Sequence, residues 1–323
     1  MTDAVLLMAY GGPDRLDQVE PYYVDIRRGR PPSAQQLEEL VSRYRAIGGG
    51  SPLSSIVEAQ RAALEAELAA RGRRTRVYAG MRHIEPRIGR ILGSMAADRV
   101  DRCAAIALAP LESSNAVGYR RAVEIALAGL GDAAPSVNVV PSWHDQPRFI
   151  EALAVTTSEA LDRFPDPARV HVMFTAHSLP ARVVAEGDPY PDQLAGTAAL
   201  VAERLGLSEY TCAFQSAGRT GEAWLGPDIL EEIPRLAGRG VRELVVRPVG
   251  FVADHLEVLY DIDIQAQAVA RDLGVRLERA RSMNDDPIFI AGLADLASTA
   301  LSGVTLSMGV ALSSARQKMA GQP

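Results

Sequence analysis

The stretch Pro248–Gln265 reads PVGFVADHLEVLYDIDIQ, and it decides the fold. The β-branched run Leu244–Val246 just before it is typical of a buried strand. Asp254 then begins a helical pattern, in which Asp254, Glu257 and Asp261 recur at i, i+3 and i+7 and therefore share one face. Asp254 followed by Glu257 also fits a capping box, a role confined to the helix itself. Because open α/β sheets bind ligands beyond the carboxyl ends of their strands, the same acids can instead line a site.

The pattern of a strand followed by a turn and a helix runs through the chain twice. Eight apolar runs fit strands, at 4–9, 75–79, 103–108, 137–140, 170–176, 210–214, 244–249 and 275–278. The turn after the first run, Tyr10–Pro13, corresponds to the turn after the fifth, His177–Pro180. Strands that alternate with helices form parallel sheets. We therefore predict an α/β protein of two similar Rossmann-like domains, each a four-stranded parallel sheet flanked by helices, with a ligand cleft between them.

We place the N-terminal domain at residues 1–148, the C-terminal domain at 149–302 and a C-terminal tail at 303–323. The stretch 296–314 contains no charged residue but is rich in Ser, Gly and Ala. A membrane span needs ~20 predominantly apolar residues, so we interpret this stretch as a packed terminal helix and a tail. We expect at most peripheral contact with membranes.

Composition and charge exclude several classes of protein. Of the 323 residues, 47% are hydrophobic and 23% charged, which is typical of a globular protein. The net charge of −6 argues against general binding of nucleic acid. The two cysteines lie in apolar runs, as core residues do in a reducing cytosol, and are too few for an iron–sulfur cluster. Since Met1–Asp3 also lacks the positive region of a signal peptide, we expect a cytoplasmic location.

Two features favour an anionic ligand. Residues 26–32 place three arginines around a glycine before a double proline, and arginine suits carboxylates and phosphates. Ser51-Pro52 fits the N-cap and first position of a helix, whose free amides can bind a carboxylate. A solvated basic turn and a simple helix cap are the alternatives. The turn after the first strand lacks both GxGxxG and a P-loop lysine, so it does not favour a nucleotide.

Among the five histidines, His177 is the candidate for chemistry. It ends a buried strand and faces the acids around Glu257, which we expect on the opposite wall of the cleft. Imidazole with carboxylate suits a divalent first-row metal and also proton transfer near neutral pH. His255 lies two residues from Glu257, about 200° around a helix, so these two are not expected to share a metal. Three others are predicted to be structural: His83, His144 and His171.

Motifs spread over nearly the whole chain resemble those of the ferrochelatases, specifically the coproporphyrin type of Gram-positive bacteria. They follow the order of that family to about residue 300. The motifs are MAYG at 8–11, IRRGR at 26–30, RYRAIGG at 43–49, SPL at 51–53, AHSLP at 176–180, GDPYP at 187–191, WLGPD at 224–228 and the opening stretch to residue 263.

The resemblance implies that Fe2+ is inserted into coproporphyrin III between two chelatase-type domains. Iron is then a substrate, with no permanent cofactor and no iron–sulfur cluster. His177 matches the catalytic histidine, which binds the incoming iron or removes pyrrole protons, and Glu257 matches its partner carboxylate. Both are candidate ligands of the Fe2+ substrate. Asp261 is implied as a relay, and Tyr10 as the ligand of iron in the product. Further positions match residues around the propionates: Arg27, Arg28, Arg43, Tyr44, Ser51 and Tyr119. The resemblance also implies a monomer that serves a downstream coproheme decarboxylase.

The chain departs from the family pattern at three places. Gln265 stands where a further acid is frequent, Leu111-Glu112 stand where we expect a histidine or glutamine and an aromatic residue, and the tail matches nothing. Whether His177 acts mainly as a base or as an iron ligand is left open. Alternative functions are a protoporphyrin IX ferrochelatase, a non-catalytic haem or porphyrin carrier on the same fold, and a cobalt chelatase for a reduced tetrapyrrole.

Overall fold

Two parallel sheets frame the molecule in this computed structural model, which describes residues 1–113, 116–218 and 221–303. The first sheet contains β1 (Asp3–Ala9), β2 (Arg76–Met81), β3 (Arg102–Ala107) and β4 (Ser136–Val139). The second contains β5 (His171–His177), β6 (Tyr210–Gln215), β7 (Glu243–Pro248) and β8 (Arg276–Arg279). Their strand orders are β2-β1-β3-β4 and β6-β5-β7-β8. Because the two orders correspond strand for strand, the predicted pair of similar four-stranded halves is confirmed.

Helices cover both sheets. In the N-terminal half they are α1 (Val19–Ile26), α2 (Ala34–Ala46), α3 (Leu53–Ala70), α4 (Ile88–Ala97) and α5 (Ala116–Leu130). From residue 147 onward they are α6 (Pro147–Leu161), α7 (Arg182–Ala185), α8 (Tyr190–Leu205), α9 (Ile229–Gly238), a π-helix (Glu257–Ala266) that continues into α10 (Gln267–Asp272), and α11 (Pro287–Leu301).

The central strands are buried on both faces, which explains their unbroken apolar sequence. In β1 every residue from Ala4 to Ala9 is buried, and in β5 the same holds from Val172 to Ala176. Parallel strands covered by helices on both sides read as continuous hydrophobic runs. Since the strands of each sheet run parallel, the residues that follow β1 and those that end β5 emerge at the carboxyl edges of their sheets.

The two halves share one hydrophobic core. A single cluster of buried side chains contains Leu7 of β1, Phe174 of β5 and Leu293 of α11. The terminal helix α11 packs against α3 and β3 of the N-terminal half, and also against α6, which itself packs against α8 and β7. The boundary at residues 148/149 stays a prediction. The terminal helix α11, which we assigned to the second domain, contacts the first sheet through β3.

The end of the chain is described only in part. The terminal helix predicted from the uncharged stretch is present as α11, which ends at Leu301. Within the described ranges, no helix combines the length and the apolar character that crossing a bilayer requires. From residue 304 the predicted tail lies outside the described residues.

We expect Leu293→Ala to lower the free energy of unfolding by about 2–5 kcal/mol, because it leaves a cavity where both halves meet. Leu293 has no exposed surface. Urea denaturation would measure the loss, with Leu200→Ala as the control, since Leu200 on α8 is 38% exposed. A loss below about 1 kcal/mol for Leu293→Ala would contradict a core shared by the two halves.

Candidate active site

A cavity of about 400 Å³ opens where the carboxyl edges of the two sheets face each other. Residues after β1 and β3 line one side, and residues that end β5 or follow β7 line the other. Six of the residues selected from the sequence lie on its surface: Tyr10, Tyr44, Ser51, Tyr119, His177 and Glu257. The predicted cleft between the halves is therefore present.

Four selected residues do not line this cavity in the described part of the chain. Arg27 and Arg28 lie at the end of α1, next to Ile26, which does line it. Arg43 reaches from α2 toward the other half, with its guanidinium 5.3 Å from the ring centre of Tyr260. The fourth, Asp261, is buried behind the cavity surface. The arginines thus belong to the surroundings of the cleft rather than to its wall.

His177 and Glu257 belong to the same half of the molecule. His177 is the last residue of β5, and Glu257 begins the π-helix after the adjacent strand β7. The expectation that they stand on opposite walls is wrong, because neighbouring parallel strands deliver both to one carboxyl edge. Tyr10 follows β1 and belongs to the other half, so the cleft separates this phenol from the imidazole and the carboxylate.

His177 is held rigidly and is easily kept neutral. Its backbone carbonyl accepts a hydrogen bond of 2.9 Å from the Tyr190 hydroxyl, and Phe251 lies edge-on to its ring at 6.3 Å between centres. Burial lowers the pKa of His177, and the nearby Glu257 carboxylate opposes this effect. A neutral imidazole has a free lone pair, which can take a proton or bind a metal ion.

The helix after β7 begins later than the sequence suggested. Its first helical residue is Leu256, and the π-helical part begins at Glu257. The Asp254 carboxylate instead accepts hydrogen bonds from Ser282 (2.7 Å) and Asn284 (3.1 Å) and pairs with Arg279 (3.2 Å). The Asp254 amide donates to the Asn284 side chain, 2.9 Å away. The predicted capping box is wrong, because a loop thirty residues further along the chain captures Asp254.

The predicted separation of His255 from Glu257 is also wrong. His255 Nε2 lies 3.2 Å from Glu257 Oε2, because His255 precedes the helix and helical angles do not apply to it. Its Nδ1 contacts the Ala253 carbonyl at 2.8 Å, so that nitrogen carries the hydrogen of a neutral ring. Nε2 faces the carboxylate, so the two side chains form a polar pair at the surface of the cavity.

A buried amide fixes the start of the π-helix. Gln215, the last residue of β6, has no exposed surface. Its amide donates to the Glu257 carbonyl (2.9 Å) and accepts from the Thr175 hydroxyl (2.9 Å). The catalytic candidate Glu257 is therefore tied to β5 and β6, and not only to its own helix. The sequence analysis did not identify Gln215, which ends a strand as His177 does.

Asp261 lies one turn further along the π-helix, behind Glu257. Its carboxylate accepts a hydrogen bond from Ser216, which lines the cavity. Ser216 has φ +63°, a conformation uncommon for residues other than glycine, and it turns the chain directly after Gln215. Burial raises the pKa of Asp261 from 3.8 to about 6, and Glu257 adds to this, while Ser216 and Arg43 oppose it. A carboxyl group with this pKa can exchange protons near neutral pH.

Tyr10 is enclosed by groups from the loop after β2. Its ring centre lies 5.7 Å from the guanidinium carbon of Arg82 and 4.4 Å from the centre of the His83 ring. His83 Nδ1 contacts the Asp25 carboxylate at 2.7 Å. Burial raises the pKa of Tyr10, and the charge of Arg82 opposes this. His83, which was predicted to be structural, packs against this residue of the cavity.

Ser51 and Tyr44 lie on the same side of the cavity as Tyr10. The Ser51 hydroxyl accepts a hydrogen bond of 3.3 Å from the Leu53 amide, and α3 begins at Leu53, one residue later than predicted. Tyr44 is 2% exposed, and burial raises its pKa far above the ordinary value for a tyrosine. Tyr44 also forms a hydrogen bond with Tyr22.

Several further residues of the cavity were not selected from the sequence. Two aromatic residues, Trp224 and Phe251, were quoted within motifs but given no role, although both line the cavity. Leu111 stands at a departure from the family pattern, and it is buried and forms part of the wall. Next to it, the Glu112 amide donates to Gln193 (2.6 Å) in the other half.

Comparison with known proteins identifies the family. The model of the Ferrochelatase family matches residues 2–301. A ferrochelatase of Herpetosiphon aurantiacus is 44% identical over 93% of this chain and 98% of its own length, and one of Thermus thermophilus is 46% identical over 92% and 98%. A coproporphyrin III ferrochelatase of Geobacillus thermodenitrificans is 41% identical over 91% and 94%.

Solved structures show the same fold at low identity. The structure of SirB from Bacillus subtilis with Fe3+ has a TM-score of 0.59 at 11% identity, over 95% of this chain and all of SirB. Paired four-stranded sheets with a cavity between their carboxyl edges thus define a protein of the chelatase fold. Within that class, the chain belongs to the ferrochelatase family.

We expect Asp261→Asn to remove a pH dependence of stability. Because folding raises this pKa from 3.8 to about 6, the native state favours the protonated carboxyl. Wild type should therefore lose up to about 3 kcal/mol of unfolding free energy relative to the variant as the pH rises from about 4 to 7. Urea denaturation at several pH values measures this difference. Asp272→Asn, at an exposed carboxylate of α10, is the control for the change of charge. Parallel pH profiles for wild type and Asp261→Asn would refute the assignment.

Proposed function

We propose that the protein inserts Fe2+ into coproporphyrin III, with His177 and Glu257 as the catalytic pair. The observation that carries this proposal is the single cavity whose surface includes both of these side chains from one half and Tyr10 from the other. A flat macrocycle placed in this cavity would present one face to the phenol and its other face to the imidazole and carboxylate. Membership of the ferrochelatase family supports the reaction class.

The reaction requires two protons to leave the pyrrole nitrogens while Fe2+ enters. Burial favours neutral His177, which can accept one proton or bind the incoming iron. Glu257 supplies an oxygen ligand at the same face, and its contact with His255 gives a proton a place to move. Asp261, whose pKa is raised to about 6, is positioned one turn further along the π-helix to pass protons on.

Distortion of the macrocycle is the second requirement, because a planar porphyrin does not expose its nitrogen lone pairs to a metal. A rigid cavity can supply the distortion from the binding energy of peripheral groups. Here the wall around Tyr10 is immobilised by packing, and the wall around Glu257 is fixed by the buried amide of Gln215. Both walls are attached to the shared core.

The choice of coproporphyrin III rests on charge. Coproporphyrin carries four propionates, and Arg27, Arg28 and Arg43 bring cations close to the cavity, with Ser51 at its surface. Arginine binds carboxylates well because its planar donors match both oxygens. Relatives named coproporphyrin III ferrochelatase share 40–41% identity with this chain. Tyr10 is proposed as the iron ligand in the product. This role also favours coproporphyrin III, because it follows from the resemblance to the coproporphyrin type of ferrochelatase.

The proposal extends to partners and location. We propose that iron is only a substrate, that no cofactor is resident, and that the protein acts as a cytoplasmic monomer. Its product, iron coproporphyrin III, would pass to a coproheme decarboxylase. The residues around the propionates are proposed to be Arg27, Arg28, Arg43, Tyr44, Ser51 and Tyr119.

His177→Ala should abolish iron insertion while porphyrin still binds. Removal of the imidazole takes away a proton acceptor or metal ligand but leaves the rest of the cavity in place. Anaerobic addition of Fe2+ and coproporphyrin III should convert free-base absorption bands to those of an iron porphyrin only in wild type, and the variant should be at least about 100-fold slower.

The control is His171→Ala, at the other end of β5, where the ring contacts Thr211 at 3.1 Å. This variant should retain insertion. If wild type binds porphyrin but never inserts iron, the protein is a carrier and the proposed reaction is wrong. If His177→Ala inserts iron at the rate of wild type, the assignment of His177 fails.

Arg43→Ala should discriminate between porphyrins. Loss of one cation near the propionates should raise the KM for coproporphyrin III about tenfold, which corresponds to the free energy of one charge-assisted hydrogen bond. The KM for protoporphyrin IX should rise by less. Arg45→Ala is the matched control on the same helix, since Arg45 is exposed and contacts Glu38 at 3.5 Å. Equal effects on both porphyrins, or a higher kcat/KM of wild type for protoporphyrin IX, would overturn the choice of substrate.

A further inference from the structure

The guanidinium of Arg82 occupies a position between two aromatic walls of the cavity. Its central carbon lies 5.7 Å from the ring centre of Tyr10 and 5.9 Å from that of Tyr119. Both tyrosines line the cavity, and they come from different elements, the turn after β1 and helix α5. A cation over the face of an aromatic ring is attracted by its quadrupole, most strongly where water is excluded. One side chain therefore couples two parts of the wall.

A glycine leaves the space that this guanidinium occupies. Gly118 lies in α5, next to Tyr119, and a Cβ atom at this position would collide with the guanidinium carbon and both terminal nitrogens of Arg82. Glycine inside a helix costs about 1 kcal/mol relative to alanine. The space that it leaves is filled by the charged head of Arg82. Because this head is the far end of a flexible side chain, an added Cβ would displace the guanidinium from between the two rings and leave the helix in place.

The backbone of Arg82 is equally fixed. Its amide donates to the Ala9 carbonyl at 2.8 Å, and its own carbonyl accepts from Arg87 at 2.6 Å. Arg87 also binds Asp25, whose carboxylate contacts the ring of His83. Tyr10 thus packs against both Arg82 and His83, and each of these two residues is anchored by further polar contacts.

We propose that Arg82, seated on Gly118, is a positioning residue that holds the Tyr10 ring at the angle from which its oxygen meets the iron of the product. The inference rests on the proposed function, in which Tyr10 binds that iron. Arg82 touches neither metal nor porphyrin in this role. Its loss should weaken the binding of iron porphyrin and leave the binding of the free base nearly unchanged, since only the metallated ring uses the phenol oxygen.

The test compares Arg82→Gln and Gly118→Ala, each titrated with ferric coproporphyrin III and with metal-free coproporphyrin III. Both variants should raise the Kd of the ferric porphyrin about tenfold, or ~1.4 kcal/mol, and that of the free base by less than about threefold. The charge-transfer absorption of phenolate bound to ferric iron should weaken in parallel. Arg82→Lys, which keeps a cation over the rings, should restore part of the ferric affinity.

Two matched controls separate this effect from general damage. Gly129→Ala makes the same substitution in α5 at a place where a Cβ meets nothing within 4 Å. Arg76→Gln removes a guanidinium that lies 5.8 Å from the ring centre of Tyr78, outside the cavity. Neither should change the ratio of the two dissociation constants. The double variant Arg82→Gln/Gly118→Ala should bind the ferric porphyrin as tightly as Arg82→Gln alone, because each substitution removes the guanidinium from the same place.

Three outcomes would overturn the inference: an unchanged ferric Kd in Gly118→Ala, equal losses for the ferric and metal-free porphyrins, or additive effects in the double variant. If Arg82→Gln is recovered unfolded, Gly118→Ala decides, since it retains every charge. Failure of wild type to insert iron would refute the proposed function instead. The ferric titration is a separate test, because it measures the binding of a ready-made iron porphyrin and does not depend on insertion.

Discussion

The hydrophobic core shared by the two halves is the constraint on which the site depends. Leu7, Phe174 and Leu293 belong to one buried cluster, although they come from the first sheet, the second sheet and the terminal helix. Close-packed interiors resist deformation, because small changes in volume cost substantial free energy. The width of the cleft is therefore set by packing beneath it, and a bound macrocycle must adapt to the cavity more than the cavity adapts to it.

Burial also determines the chemistry of the polar groups that face the cleft. The same exclusion of water lowers the pKa of His177 and raises that of Asp261, since burial disfavours whichever form is charged. A neutral base at His177, the Asp261 carboxyl group with its pKa raised to about 6, and the contact between His255 and Glu257 then lie within one region. Positioned groups whose pKa values lie near the operating pH can accept protons from a bound substrate.

Much of the fold could be predicted from the sequence, because each of the eight strands leaves an apolar run and the order of the runs repeats. The cavity residues that end strands, such as His177, were accessible for the same reason. Predictions failed where a distant residue determines local structure. Asn284 holds Asp254 outside the helix, so the capping box and the helical angle between His255 and Glu257 were both wrong. Gln215 could not be recognised either, since its partners become neighbours only through the order of the strands.

The central claim is that a tetrapyrrole lies between Tyr10 on one wall and His177 with Glu257 on the other. A crystal structure of the protein with coproporphyrin III bound tests this most directly. The account predicts density for the macrocycle inside the 400 Å³ cavity, with the phenol oxygen over one face and the imidazole over the opposite face. A macrocycle bound elsewhere, or one with the phenol and the imidazole on the same face, would contradict it.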